Sequence, residues 1–322
     1  MAEFITISHV DEGTRILRWF LRVFPGLPQR DFYKLCRGGQ IRINSSRVRG
    51  TEILRAGDVV RVPPTMQSYK NVPKKDESGE QFSLSDLENL RNCIIHSDSD
   101  VVVFNKPAGL AVQGGTGIKK SIDKMAAVLF PYDKISLVHR IDKETSGILV
   151  VAKNQRAAQE LSKQFQNKTA HKEYVALLNG SLIRSHGVLE NYIAKGVVYE
   201  NLSDVPDNVR VQRAITEYRV LGTAHGLLTW VWFSPKTGRT HQLRLHSAYS
   251  FGAPIVGDDL YGTVRGDDLG MLNSLLTSKN LFLFAYKITF VHPSTHKTIT
   301  LVAELPDFMQ SVLKFLEFRL PL

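Results

Sequence analysis

The chain has 322 residues, a formal net charge of +10 and an isoelectric point near 9.5. Apolar residues make up 43% and charged residues 22%, the balance of a folded globular protein, and no apolar run reaches the ~18–20 residues of a membrane span. Cys36 and Cys93 stand far apart with no partner motif, which argues against a cysteine zinc site and suits a reducing compartment. Residues 1–20 carry acids and lack a signal-peptide pattern, so a cytoplasmic protein is expected. The charge is unevenly spread. Residues 1–64 hold ten arginines and one lysine against six acids, half of the net charge in a fifth of the chain. Arginine forks bind phosphate and stack on bases, so this bias points to a polyanionic partner such as RNA.

In chain order, Thr14 is a candidate helix cap, followed by apolar residues at 16, 17, 20 and 21 in helical spacing. A Pro/Gly break at 25–28 precedes a second helix from Asp31. Arg37-Gly38-Gly39 turns into an alternating strand, Gln40 to Asn44, and Val59 to Pro63 forms another. Residues 1–64 therefore read as one small domain. Residues 65–90 are polar and aperiodic, a flexible linker. Residues 91–322 form the larger domain. Its expected elements are a strand at 101–104, a glycine-rich loop at 112–117, a buried strand at 148–152 and an Asn154-capped helix. A strand at 172–178, an excursion at 196–213, a strand at 226–233 and a helix beginning near Thr240 follow. Gly257 to Gly262 is a polar turn, strands follow at 281–290 and 298–303, and a closing helix spans 306–318 with Phe308, Val312, Phe315 and Leu316 on one face. Strands dominate without strict alternation with helices, which implies an α+β domain on a mixed, mainly antiparallel sheet.

Two segments concentrate chemistry. His139-Arg140-Ile141-Asp142-Lys143-Glu144-Thr145-Ser146-Gly147 leads straight into the buried strand, a rigid mount for side chains. Spacing alone leaves Asp142 open as an ion-paired structural acid, a metal ligand or a nucleophile. Arg239-Thr240-His241-Gln242-Leu243-Arg244-Leu245-His246 gathers two guanidiniums, an amide and two imidazoles. Its histidines, five apart, do not share a helical face, which argues against a two-histidine metal site. The glycine-rich loop matches neither a dinucleotide fingerprint nor a P-loop. Tyr174 taken alone is a packing residue on a strand.

The nonapeptide 139–147 is similar to the H-R-[LI]-D-x-x-T-S-G signature of the RluA-type RNA pseudouridine synthases, and all its fixed positions are filled. Lys172-Glu173-Tyr174-Val175-Ala176 resembles that family's K-x-Y-x-A motif, Asn105 to Gly109 its N-K-P-x-G motif, and Gly238 to Arg244 its G-R-[ST]-H-Q-[LI]-R motif. This resemblance spans about 93–305. Residues 13–64 resemble the S4-type RNA-binding domain, carried by Arg15, Arg37 to Asn44 and Leu54 to Asp58. Together they imply the pseudouridine synthase fold preceded by an S4-type domain, with large-subunit ribosomal RNA as partner and other ribosomal sites or transfer RNA as the alternative. The resemblance makes Asp142 the catalytic residue, Tyr174 the residue stacking on the target base and Arg244 the ionic partner of Asp142. Arg140, Arg239, His241 and Gln242 are expected to hold substrate, and Arg15, Arg18, Arg37, Arg42 and Arg47 to contact RNA. Because the reaction moves a base within one nucleotide, no cofactor, metal or nucleotide energy source is expected, and a monomer suffices. A fold that has lost catalysis is one rival. An N-glycosidase is another, and requires a second carboxylate near Asp142, for which Glu144 and Asp259 are candidates.

Overall fold

The computed structural model describes residues 2–8, 11–24, 27–66, 69, 82–194, 196–262 and 280–321. The chain divides into two compact units, Met1–Gln81 and Phe82–Leu322. The first contains β1 (Glu3–Thr6), α1 (Ile16–Val23), α2 (Gln29–Arg37), β2 (Arg42–Ile43), β3 (Ser46–Arg47) and β4 (Val59–Val62). Its antiparallel sheet has the order β1-β4-β2-β3. Helical spacing puts Ile16, Trp19 and Phe20 of α1 against Phe32 and Cys36 of α2, and Val60 and Val62 close the same core. The β2–β3 hairpin turns through Asn44 and Ser45, both at positive φ (46° and 67°), the backbone of a tight primed turn. Thr14 does not cap α1. Arg15 holds that position without a side-chain bond, while the Ile16 N–H donates to the Glu52 carbonyl (2.9 Å). A long-range backbone bond replaces the local cap.

The expected linker is shorter at both ends. Met66 is buried in the first core with Tyr69 packed beside it, and α3 (Leu84–Asn92) opens on a capping box between Ser83 and Asp86. Most of the intervening polar stretch, 70–81, lies outside the described residues.

The second unit continues with β5 (Ile94–Ser97), β6 (Val101–Lys106), α4 (Ile122–Leu129), β7 (Ser136–Leu137), β8 (Ser146–Ala152), α5 (Gln155–Gln166), β9 (His171–Asn179) and β10 (His186–Ala194). Then come β11 (Val197–Tyr199), β12 (Gln212–Ala224), β13 (Leu228–Pro235), α6 (Gln242–Leu245), β14 (Leu283–Val291), β15 (Thr298–Val302) and α7 (Asp307–Phe315). One eleven-stranded sheet runs β11-β10-β12-β13-β9-β14-β8-β6-β5, with β15 added to β14 and β7 to β8. Among the described pairs only β14–β8 is parallel, so the sheet is mixed and mainly antiparallel. The excursion at 196–213 is the tip of the β10–β12 ribbon, where β11 folds back on β10.

All seven residues of β8 are buried. Ile148, Val150 and Ala152 face a core closed by Ala157 and Leu161 of α5, whereas Leu149 and Val151 face one closed by Ile122, Met125 and Ala126 of α4. Period-two alternation thus feeds two cores from one strand, and each buried aliphatic side chain contributes roughly 1.5–3 kcal/mol. The closing helix turns differently from expectation. Met309, Val312 and Leu313 are its buried face, and Phe315 is 53% exposed.

Register across the middle of this sheet brings distant residues together. Gly147 on β8 pairs with Ala285 on β14, Ala285 with Tyr174 on β9, and Tyr174 with Phe233 near the end of β13. Three distant segments therefore meet at one level: the loop before β8, Tyr174, and the segment after β13.

Candidate active site

The Asp142 loop is clamped from several directions. Lys106 is completely buried, and its ammonium donates to the carbonyls of Pro107 (2.8 Å), Leu110 (2.9 Å) and Lys143 (2.8 Å). The Gly109 N–H donates to the same Lys143 carbonyl (2.9 Å). The Asn105–Gly109 turn is thereby fastened to the residue after Asp142. Burial pulls the Lys106 ammonium down to about 7, while Glu144 and Asp142 favour its charge. His139 stacks on Phe165 (4.3 Å), and its Nε2 accepts the Val150 N–H (2.9 Å). Burial, with the nearby Lys172 charge, depresses its pKa to about 3, so this ring is a neutral strut. A Cβ on Gly147 would lie 2.4 Å from the Ala285 carbonyl oxygen, so close approach of β8 to β14 demands glycine there. Gly109 instead faces open space and is required by its φ of +80°.

A pocket of about 610 Å³ opens above this loop. Asp142, Tyr174, Lys172, Arg239, His241 and Arg244 are in its walls. The Asp142 side chain is 29% exposed. Tyr174 is half-buried between two core clusters; burial and the Asp142 charge push its hydroxyl far above the ordinary phenol range, so it keeps its proton. Lys172 stands two residues before Tyr174 on β9, hence on the same sheet face. Its ammonium forms no hydrogen bond or ion pair among the described residues, and burial lowers its pKa.

Arg244 does not pair with Asp142. Its guanidinium grips Asp258 in a buried fork, Nε to Oδ2 at 2.8 Å and Nη2 to Oδ1 at 2.6 Å. Asp258 Oδ1 also accepts the N–H groups of Leu260 and Tyr261, so the carboxylate takes four hydrogen bonds in all. A fork so satisfied is locked, and Arg244 acts on Asp142 only through its field. The group facing Asp142 is His241, with Nε2 3.9 Å from Oδ1.

Gln242 is also corrected. Its amide donates to the Ile215 carbonyl and Thr216 hydroxyl and accepts from Thr237 and the Arg239 N–H, which leaves nothing for RNA. It staples the loop to β12. The Arg239 Nε donates to the Arg213 carbonyl (3.0 Å), and Arg140, exposed at the rim, bonds to Gln113 (3.2 Å). In the first unit Arg15, Arg18, Arg37 and Arg47 are exposed, whereas Arg42 is half-buried and committed to the Gly39 and Ser45 carbonyls. His246 is fully buried away from the pocket lining, and burial lowers its pKa to about 4.

Asp98, Asp100 and His292 cluster elsewhere with metal-like spacing. The Ser294 and Thr295 N–H groups donate to His292 Nδ1, so Nε2 carries the proton and donates to Asp98 (3.1 Å). That tautomer has no lone pair for a metal at Nε2. The cluster is a knot between the β5–β6 turn and the β14–β15 connection.

Sequence reasoning missed the clamping role of Lys106, and saw Asp258 and Tyr261 only as parts of a polar turn. A buried-lysine role has no local periodic signal. The Asp258-Asp259-Leu260-Tyr261 run, flanked by glycines, was the one visible hint.

A family model described as RNA pseudouridylate synthase matches residues 100–249. The ribosomal large subunit pseudouridine synthase C of Vibrio cholerae is 36% identical over 313 residues, covering 97% of this chain and 96% of that protein. The protein of that name from Haemophilus influenzae is 34% identical over 317 residues, covering 96% and 94%. Among solved structures, human RNA pseudouridylate synthase domain containing 4 superposes with a TM-score of 0.60 at 27% identity, covering 73% of this chain and 97% of that one. Its human relative, domain containing 1, gives 0.54 at 25% identity, covering 74% and 97%. A signature loop on a buried strand, a tyrosine two strands away and full-length similarity to such enzymes make this chain a member of the RNA pseudouridylate synthase family.

Proposed function

We propose that this pseudouridine synthase isomerises uridines of large-subunit ribosomal RNA, with Asp142 as the reacting carboxylate and the first unit as an S4-type RNA-binding module. The single observation carrying the assignment of Asp142 is that, among the described residues, no other carboxylate lines the pocket. Glu144 pairs with Lys143 at the surface (3.6 Å), and Asp259 is exposed outside the lining. The paired acids of a glycosidase are therefore not at hand among the described residues. The reaction breaks the C1′–N1 bond, turns the uracil and joins C5 to C1′, so the base must be kept while detached. Tyr174 offers a ring for stacking, and its protonated hydroxyl a hydrogen bond. Lys172 lies along the same strand face, about 7 Å away by strand rise, and its unpaired ammonium suits the phosphate of the flipped nucleotide. Arg140 at the rim suits the gap left in the RNA stack. Arg244 adds positive potential near the carboxylate.

The choice of RNA rests on the names of the full-length relatives and on the exposed arginines of the first unit. No described helix is long and apolar enough to cross a membrane, in keeping with work on ribosomal RNA in the cytoplasm. The test is a pseudouridine map of unmodified large-subunit RNA, small-subunit RNA and transfer RNA after incubation with wild type and Asp142→Asn. New pseudouridines are expected in the large-subunit RNA with wild type alone, with RNA affinity of the variant unchanged. Modification confined to the other RNAs would overturn the target, and an active Asp142→Asn would overturn the residue.

A further inference from the structure

We infer that His241, oriented by Tyr261, is the positioning residue that holds one carboxylate oxygen of Asp142, leaving the other to face the nucleotide. The inference rests on Asp142 being the reacting carboxylate. With Arg244 locked onto Asp258, the one cationic or imidazole nitrogen within 4.0 Å of the Asp142 carboxylate among the described residues is Nε2 of His241, 3.9 Å from Oδ1. The other ring nitrogen, Nδ1, is 2.8 Å from the Tyr261 hydroxyl, and the two rings meet edge to face at 5.6 Å.

Hydrogen-bond chemistry decides where the proton sits. An ionised carboxylate only accepts, so a hydrogen bond between the two side chains requires Nε2 to donate toward Asp142. In the neutral ring Nδ1 is then an acceptor and Tyr261 O–H its donor. In the charged ring both nitrogens donate and the Tyr261 oxygen accepts. Either way Nε2–H points at Asp142. Tyr261 can serve both cases because burial raises its pKa and its hydroxyl stays protonated.

Tyr261 is itself anchored. Asp258 accepts its N–H (3.1 Å), and the Arg244 guanidinium lies over its ring at 5.3 Å. The buried Arg244–Asp258 fork thereby orients His241 through Tyr261, in addition to the direct field of Arg244 on Asp142. The backbone supplies an independent sign. His241 sits at φ 55°, ψ 23°, a left-handed conformation uncommon for a non-glycine residue, just before α6. Glycine or asparagine would be at ease there, yet a histidine is held with its ring 25% exposed at the pocket wall. At 3.9 Å the contact is not yet a hydrogen bond; a shift of about 1 Å, of the kind substrate binding brings to open catalytic sites, would close it.

The experiment measures kcat and KM for pseudouridine formation, RNA affinity and thermal midpoint for wild type, His241→Gly, His241→Gln, Tyr261→Phe and Asp142→Asn. Glycine suits the left-handed backbone, so His241→Gly removes the ring without strain. It is expected to lower kcat about 100-fold while leaving the thermal midpoint and RNA affinity unchanged. Glutamine, whose amide N–H can reach the Nε2 position, is expected to recover most of that loss. Tyr261→Phe is expected to cost about tenfold in kcat, the worth of one hydrogen bond. Wild-type kcat in His241→Gly would overturn the inference. So would equal losses in the glycine and glutamine variants, which would mean a structural role. Activity in Asp142→Asn would instead remove the assignment on which the inference rests.

Discussion

Two imidazoles of this protein are held neutral by burial, and that choice has a thermodynamic consequence. His139 must present a lone pair to the Val150 N–H, and His246 is fully buried with neither ring nitrogen bonded. Their pKa values fall from an ordinary 6.5 to about 3 and about 4. Below pH 6.5 the unfolded chain binds protons that the folded chain refuses. The stability they permit is therefore complete above pH 6.5 and is lost as pH falls from there toward 4. His246 alone adds a slope approaching about 1.4 kcal/mol per pH unit across that window. Urea titrations between pH 7 and 4 are expected to show this limb in wild type and a flatter one in His246→Leu. Identical limbs would show that His246 is protonated in the fold. His139, by contrast, is the conspicuous histidine of the signature loop, yet its work is mechanical.

At the scale of elements, the site depends on how closely β8 approaches β14. The two strands are parallel over only two residue pairs, Phe284 with Ser146 and Ala285 with Gly147. That short pairing fixes Asp142, five residues before Gly147, relative to Tyr174 across the sheet. In Gly147→Ala the new methyl would fall 2.4–2.8 Å from three backbone atoms of Ala285. The residue's φ of +106° adds strain for any side chain. Backbone cannot give way as a side chain does, so a loss of about 2–3 kcal/mol is expected, with a fall in turnover larger than the fall in RNA affinity. Gly109→Ala is the contrast. It meets open space and carries only the conformational cost of its positive φ, about 1 kcal/mol. Similar destabilisation by the two substitutions would refute the close-approach argument.

At the scale of the whole molecule, each unit has its own core. The first is built on Trp19, Phe20 and Phe32, and the second on the two faces of the large sheet. A chain of residues 82–322 is accordingly expected to fold. Removing residues 1–81 should weaken RNA binding and flatten its salt dependence by about 0.7–0.9 in log–log slope for each phosphate that is no longer neutralised. The exposed Arg15, Arg18, Arg37 and Arg47 are the candidates for binding those phosphates. An unchanged slope would show that the basic unit does not engage phosphate.

Much of this was legible in the residues themselves. The run Ile148 to Ala152 announces a strand buried on both faces, Asn154 announces a helix cap that the Ala157 N–H indeed uses (2.9 Å), and the loop 139–147 carries its family signature intact. These are local properties: periodicity, capping chemistry and contiguous motif. The helix cap at Thr14, the extent of the linker and the buried face of α7 depart from expectation because distant backbone or packing replaces a local rule there. The same holds at the site. That Arg244 binds Asp258, that His241 turns to Asp142 and that Lys106 clamps the Lys143 carbonyl are choices among several oppositely charged or polar partners. Composition names the candidates for such pairings. Only the folded chain decides among them, because a hydrogen bond or ion pair falls off within a few ångströms, and sheet register and burial set those distances between residues far apart in sequence.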